Sequence, residues 1–579
     1  MARNDHDGTA ERGGRWEHGV TPPDRGGVLP EGHSVDGSEH ETDSISVALS
    51  GGGHRAALFA VGALMGLADA GINRRVRVIA SVSGGSITNG LLSSRGDFST
   101  ATPESLGQWL APGVATFHKV GLFFPGPRTD GYVKAFFVLV GATVSALVVA
   151  LSGAVALGQD LSWGRCWLVA GIETAVLVVA VLVARTVKPG LLEARYLWPL
   201  LAGLLVTVAT APAMALGIVG EAAALVLLVL LGKLTVWWFG RRSAAVDRAL
   251  DEGLLDRRLL YEADHLDSDV PAAGVHHLFC ATNLTSGTQA YLSPRLVSGF
   301  GLGTGRPART LKLSTAVQAS AAFPGGFSAR RLGVSQLFED PGSVAEAASM
   351  DADLVDGGVY DNMGDQWELG WSDRRDRVNA AMPGFDFEAL GTRQCDALLV
   401  VNAGGHYQPG VLKGGGLRRE VGVLMKDKSV MYDQTTAVKR RYLHDGFVQG
   451  RPLRGAIIQI GQTPTTVPAS MRAGHAPPDL VQRAGEALRL LDQLAAADPG
   501  NASQTAWATT RDSNRDYPTV LSPVPLEAAA RLMWHGYVLT RVNTYVLLGA
   551  GTLLPADGAA PDLHPWSLQR FKDYAEASS

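Results

Sequence analysis

Cysteine is scarce in this chain: three residues, Cys166, Cys280 and Cys395, in 579. They are too scattered to form a disulfide framework or a metal-ligand spacing, and they suit a reducing compartment. No metal site and no cofactor are expected. Charge of one sign is also missing, with 51 Lys and Arg against 55 Asp and Glu, a formal net charge of −4. Without a basic tract there is no electrostatic case for a nucleic-acid partner. No apolar run follows Met1, so no cleavable leader is expected. Residues 1–43 are poor in apolar side chains and rich in Gly, Asp, Glu, Arg and His, the composition of a disordered tail. Internal repeats are lacking as well.

The stretch from Ile45 to Leu92 is organised. Two short β-branched runs, Ile45–Leu49 and Val76–Ser81, each end in a glycine-rich turn and lead into a helix-like segment. Repeated strand–turn–helix units imply an open α/β sheet, whose sites lie at the carboxyl ends of the strands. The first turn, Gly51-Gly52-Gly53, can aim unhindered N–H groups at an anion or a developing oxyanion from a helix N-terminus. Arg55 adds positive charge there or anchors the loop. A phosphate-binding loop would require Lys-Ser/Thr, and a dinucleotide fingerprint a last glycine; neither is present. The second turn places Ser83 after a strand and before Gly84-Gly85, the pattern of a nucleophile elbow, with Ser81 where the usual motif has glycine. Taken alone, it also reads as a Ser/Gly loop capping a helix.

A third piece lies far downstream, where Leu354-Val-Asp356-Gly357-Gly358-Val-Tyr-Asp361-Asn362 delivers a carboxylate from a strand end into a glycine turn. Together, Gly-Gly-Gly-x-Arg, Val-Ser-Gly-Gly and Asp-Gly-Gly-x-x-Asp-Asn resemble the patatin-like phospholipases. The resemblance extends to Leu311–Phe327, with its Ala-Ser320-Ala-Ala-Phe-Pro324 segment, and to the strand His277–Asn283. It implies a three-layer sandwich with a mostly parallel central sheet. It also implies a lipid acyl hydrolase with Ser83 as nucleophile, Asp356 as base and Gly51, Gly52 and Gly53 as oxyanion loop, without a metal or organic cofactor. A Ser–His–Asp triad would draw on His54, His276, His277 or His444, none of which stands in a motif expected of a triad histidine.

Between these pieces the chain changes character. Ala135–Leu157, Cys166–Ala184, Leu197–Val219 and Ala222–Phe239 are apolar runs of membrane-spanning length, so a four-helix transmembrane insertion is expected. Pro199 and Pro212 interrupt the third, and Trp237-Trp238 at the end of the fourth fits an interfacial belt. Glu173 and Lys233 are the charged exceptions, with a transport role or a simple ion pair both open. Arg128, Lys134, Arg185, Lys188, Arg195, Arg241, Arg242 and Arg248 fall on one side, which should be cytoplasmic. Four crossings return Ser83 and Asp356 to the same compartment, as joint action requires.

The expected organisation is a tail over 1–43, a first catalytic part over 44–130, the insertion over 131–242, a second catalytic part over 243–550 and a weakly ordered tail over 551–579. Val114–Phe124 reads either as a membrane-surface segment or as a soluble helix and loop, and Ser243–Leu266 as an amphipathic helix leaving the membrane. The functional expectation is a hydrolase in the plasma membrane with a cytoplasmic catalytic domain acting on membrane lipid. The alternative is a non-catalytic membrane sensor or transporter with a degenerate hydrolase-like domain.

Overall fold

The structure is a computed structural model and describes residues 44–121, 127–156, 163–187, 194–205, 218–265, 274–324, 326–341, 351–381, 387, 394–405, 430, 434–447, 453–474, 476–519, 523–553 and 561–578. The sequence expectations for residues 1–43, for the first–second and third–fourth interhelical turns and for most of 406–433 lie outside the described residues.

Ten strands form one sheet: β1 (Ile45–Leu49), β2 (Val76–Ser81), β3 (His276–Asn283), β4 (Thr288–Leu292), β5 (Val297–Gly299), β6 (Gly303–Gly305), β7 (Arg330–Leu332), β8 (Ala352–Asp356), β9 (Ala397–Asn402) and β10 (Arg454–Gln459). The order is β10-β9-β1-β2-β3-β4-β5-β6, with β8 also pairing β3 and β7 pairing β8. From β10 to β3 neighbours are parallel; the pairs beyond β3, including β3–β8, are antiparallel. The sheet is therefore mostly parallel at its centre, as expected. β1 is buried along its whole length because a central parallel strand is covered on both faces, which explains its unbroken apolar run.

The sheet is the middle of three layers. On one face lie α1 (Gly53–Asp69), α2 (Gly84–Arg95), α3 (Pro103–Ala115) and, from the far end of the chain, α11 (Leu526–Leu548) and α12 (Leu568–Ala577). Their side chains share a core with Ile45, Val47 and Leu49. On the other face, Val78, Ala80 and Leu278 pack with Trp367, Trp371 and Phe387. Ala48, Leu398 and Val400 pack there with Leu443 and Phe447 of α10 (434–447). This inside–outside alternation along β1 and β2 is the period of a strand.

Helices α1 and α11 meet at their backbones. A Cβ on Gly62 would lie 1.8 Å from the Met533 carbonyl oxygen, and one on Gly536 would lie 2.2 Å from that of Phe59. Two glycines on facing helices thus set the distance at which α1 and α11 cross.

The insertion contains α4 (Pro127–Ala156), α5 (Trp163–Val187), α6 (Ala194–Leu204) and α7 (Ile218–Gly240), followed by α8 (Arg242–Gly253). Two of them carry segments long and apolar enough to cross a membrane, Gly131–Leu151 and Ala222–Gly240. Of the four expected spans, these two stand among the described residues; α5 covers the second run, where the apolar stretch among the described residues is Trp167–Val179, and most of the third run past Leu205 lies outside the described residues. α8 ends at Gly253, short of the expected Leu266, where Asp256 and Arg257 turn the chain with positive φ.

Two further expectations change. Val114 and Phe117 are buried in the core, so this part of the 114–124 segment belongs to the soluble domain. The C-terminal stretch is not wholly weakly ordered: α12 buries Leu568, Phe571 and Ala575 against α11 and pairs Arg570 with Asp69 of α1 at 2.6 Å. Its apolar stripe spans only two turns, too brief a pattern to stand out in sequence.

Gly62→Ala or Gly536→Ala should lower stability by about 1–3 kcal/mol through overpacking, read by thermal or chemical denaturation; a neutral effect of both would contradict the close crossing. Burial also holds three imidazoles neutral: His277 well below the ordinary range, His276 down to about 3 and His535 down to about 4. Unfolded histidines take up protons below about pH 6.5 while these do not, so stability should fall as pH drops from there toward 4. Substituting His535 with Gln should flatten that slope in denaturation curves taken across the range.

Candidate active site

β2 delivers Ser83 two residues past its end. Ser83 has φ 51° and ψ −117° and directly precedes α2. Positive φ is rare for a residue with a side chain, and a conformation of this kind costs of the order of 1–3 kcal/mol unless its surroundings enforce it. They do so here. The Ser83 amide donates to the Ser320 carbonyl at 3.2 Å, at the C-terminus of α9 (Leu313–Ser320). Gly84 and Gly85 fit because a Cβ on them would lie 2.2 Å from the Gly53 carbonyl oxygen and 2.7 Å from that of Leu49. The elbow therefore lies against the glycine loop itself.

Ser81, in place of the usual glycine, has a structural use. Its hydroxyl donates to the Leu278 carbonyl at 2.8 Å and accepts from Ser86 at 3.0 Å and Asn89 at 2.9 Å. It stitches β2, β3 and α2 together and leaves the bend to the two glycines that follow.

Asp356 ends β8, buried, and its amide donates to the Ala322 carbonyl at 3.0 Å. Thr282 of β3 donates to the Asp356 carbonyl at 2.9 Å. Asp356 Oδ1 accepts the Gly358 amide at 2.8 Å, which orients the carboxylate within its own turn. Ser83 and Asp356, far apart in sequence, thus hang from carbonyls two residues apart. Ser320 is itself fixed, donating to the Cys280 carbonyl at 2.6 Å, with the Ser86 hydroxyl at 2.7 Å.

Asn362 lies between the two halves. A Cβ on Gly51 would be 2.3 Å from Asn362 Oδ1 and 3.2 Å from Ser83 Cβ. A Cβ on Gly358 would be 2.5 Å from the same Oδ1 and 3.0 Å from Asp356 Oδ1. The serine, the glycine loop, the Asn362 amide group and the aspartate therefore share one small volume at the carboxyl ends of β1, β2 and β8. Sequence reading quoted Ser320 and Asn362 within motifs without giving either a role.

The glycine loop divides. Gly51 donates its amide to the Asn362 carbonyl at 3.0 Å, so that N–H is already engaged. Gly52 has φ 145° and Gly53 φ 61°, and they open α1, where the first amides of a helix have no intrahelical acceptor. Arg55 anchors the loop: Nε donates to the Ala403 carbonyl at 3.0 Å and Nη1 to that of Tyr517 at 2.6 Å.

The four histidines are engaged elsewhere. His277 pairs through Nδ1 with Asn89 Oδ1 at 2.7 Å, and His276 through Nε2 with Ser293 at 2.9 Å. Burial holds both far below the usual imidazole range. His54 is buried against the Phe117 ring, 5.1 Å between centroids, and His444 stands exposed beside Asp445 on α10.

No protein of curated function matches the chain. Among solved structures, the crystal structure of VipD from Legionella pneumophila covers 93% of this chain and 88% of its own at 11% identity and a TM-score of 0.23, a likeness too remote to argue from. The sequence profile of the patatin-like phospholipases matches residues 47–364, more than half of the chain, and spans every residue of the site just described. The chain belongs to the patatin-like phospholipase family.

Proposed function

We propose that this protein is a membrane-anchored serine lipid acyl hydrolase that works through a Ser83–Asp356 dyad. The observation that carries the reading is the strained elbow of Ser83 and the end of β8 suspended from one three-residue stretch, with the glycine loop beside them. In the proposed reaction Asp356 accepts the Ser83 hydroxyl proton as Oγ attacks an ester carbonyl. Charge on the carbonyl oxygen is met by the Gly52 and Gly53 amides at the positive end of α1, the Gly51 amide being taken. The tetrahedral intermediate collapses, the ester C–O bond breaks and the leaving alcohol takes the proton from Asp356. Water then loses a proton to Asp356 and attacks the acyl-enzyme, which releases the fatty acid and restores Ser83.

The membrane part of the reading rests on the inserted helices. The Ala222–Gly240 window is 6% buried, unlike a core helix, and Val226, Leu230 and Val236 are exposed along it. α4 and α6 cross on glycines: a Cβ on Gly141 would lie 2.4 Å from the Leu200 carbonyl oxygen and one on Gly203 2.2 Å from that of Val138. Small residues at the crossing and a Thr143–Thr235 hydroxyl pair at 2.8 Å are how helices associate in lipid. Tyr132 and Trp238 stack at 5.2 Å, and Arg241 and Arg242 lie over Trp237 and Phe239, an aromatic and cationic belt. Two crossings or four return the chain to the side it left, so both halves of the site share a compartment, and the Lys/Arg bias makes it the cytoplasm.

The belt is joined to the catalytic domain. Arg242 donates to the Gly326 carbonyl at 2.8 Å and Ser243 to that of Ser328 at 2.6 Å. Asp247 of α8 accepts from Ser314 at 2.5 Å, Thr315 at 3.0 Å and Arg330 at 2.7 Å. The segment held this way includes Ser320 and Ala322, so the site stands next to the end of α7. That placement suits a substrate drawn from the bilayer, with the helices raising its effective concentration.

A fluorophosphonate probe should label the wild-type chain and leave Ser83→Ala unlabelled, and Ser83→Ala and Asp356→Asn should each cut ester hydrolysis by about 10⁴-fold or more. Equal inertness of wild type and Ser83→Ala toward probe, short-chain esters and phospholipids would favour the sensor or transporter instead. The full chain should stay with membranes through an alkaline carbonate wash; release into the supernatant would remove the anchor from the reading.

A further inference from the structure

Just beyond the Asp356 turn lies a buried ionic cluster that the proposed reaction does not use. Asp361 and Asp365 are both buried, and the Lys439 ammonium of α10 reaches both. It lies 2.8 Å from Asp361 Oδ1 and is also paired with Asp365. Asp361 accepts two further bonds, from the Met363 and Gln366 amides, each at 3.1 Å. Its own amide donates to the Gly357 carbonyl at 2.9 Å. Asp361 therefore closes the turn that begins at Asp356 and carries Asn362, the group lodged between Gly51 and Gly358.

The lysine comes from outside the family domain, whose match ends at residue 364. α10 is seated by Leu443 and Phe447, which pack with Met363 from the turn itself and with Ala48, Leu398 and Val400 of the sheet. Helix and turn thus touch through an apolar contact below and an ionic one above.

The charges in the cluster balance. Burial opposes ionisation of Asp361, but Lys439 and the Gln366 amide outweigh it and hold that carboxyl below its ordinary range. Burial and the neighbouring Asp361 push Asp365 up to about 8. Burial also opposes the Lys439 charge, and the two carboxylates more than offset it. The ammonium is thus the counter-charge that the buried pair shares. Without the ammonium, a buried carboxylate has no counter-charge and must move toward water or take a proton. Either outcome loosens the bonds that shape the turn.

We propose that Lys439 is a positioning residue: reaching in from beyond the family domain, it neutralises Asp361 and so locks the Asp356–Asn362 turn against the glycine loop. This rests on the Ser83–Asp356 reading, and the experiment separates the two. In the full-length chain, Lys439→Met should lower kcat and the rate of fluorophosphonate labelling per active site by about 10- to 100-fold, the cost of displacing a reacting group by a fraction of an ångström to one ångström, with KM little changed. Asp361→Asn should be milder, because Asp365 can ionise in its place beside Lys439. The charge-balanced double variant Lys439→Met/Asp361→Asn should recover much of the loss.

Wild-type kcat and labelling per site in Lys439→Met, or a double variant no better than Lys439→Met, would overturn the proposal. A lysine that only stabilises the fold would lower the melting temperature and leave kcat per labelled site intact, which also counts against it. If wild type itself fails to label, the dyad reading falls, and amide exchange over residues 357–366 still tests the lock. Exchange there should speed up in Lys439→Met and slow again in the double variant; unchanged exchange would refute the lock.

Discussion

The backbone from Ser320 to Ala322 is the fixed point from which both candidate reacting groups are hung. One carbonyl takes the Ser83 amide and another, two residues on, takes the Asp356 amide. The stretch is itself anchored to β3 through the Ser320 hydroxyl and the Cys280 carbonyl. A strained serine conformation persists only when its surroundings over-determine it, and these bonds do so. The glycines follow from the same constraint. Gly84, Gly85 and Gly357 each face a backbone carbonyl at a distance no side chain would allow, so the motif glycines record how closely three chain segments converge.

The sequence made legible whatever is local. Strand ends followed by glycine turns placed β1, β2 and β8. The motifs pointed to Ser83, Asp356 and the glycine loop as neighbours, and the fold brings them together. What stayed hidden depends on register between distant segments. Nothing near Ser81 says that its hydroxyl will meet Leu278 and Asn89, and the Gly51 amide looks as available as those of its two neighbours until Asn362 is placed against it. The lysine that meets Asp361 arrives from another helix without any shared motif. In the insertion, two of the four expected spans stand among the described residues as helices of spanning length and apolarity, Gly131–Leu151 and Ala222–Gly240.

The inserted helices and the catalytic sheet are coupled by polar bonds rather than by a flexible linker. A single residue, Arg241, separates the end of α7 from the start of α8, and Asp247 of α8 gathers two hydroxyls from the N-terminal turn of α9 and the Arg330 guanidinium of β7. The short α9 is therefore held at its start by the element leaving the insertion and holds the site at its end. A displacement of the apolar helices would be transmitted along a single eight-residue rod to the carbonyls that carry Ser83 and Asp356.

The position of the insertion within the chain bears on how the protein is made. The ribosome produces the serine half first, then the whole apolar block, and only afterwards the aspartate strand and α10. The strands that carry Ser83 and Asp356 can meet through β3 only once the block between them has been synthesised. The candidate site is therefore completed late in synthesis, after the whole apolar block and the strands that follow it.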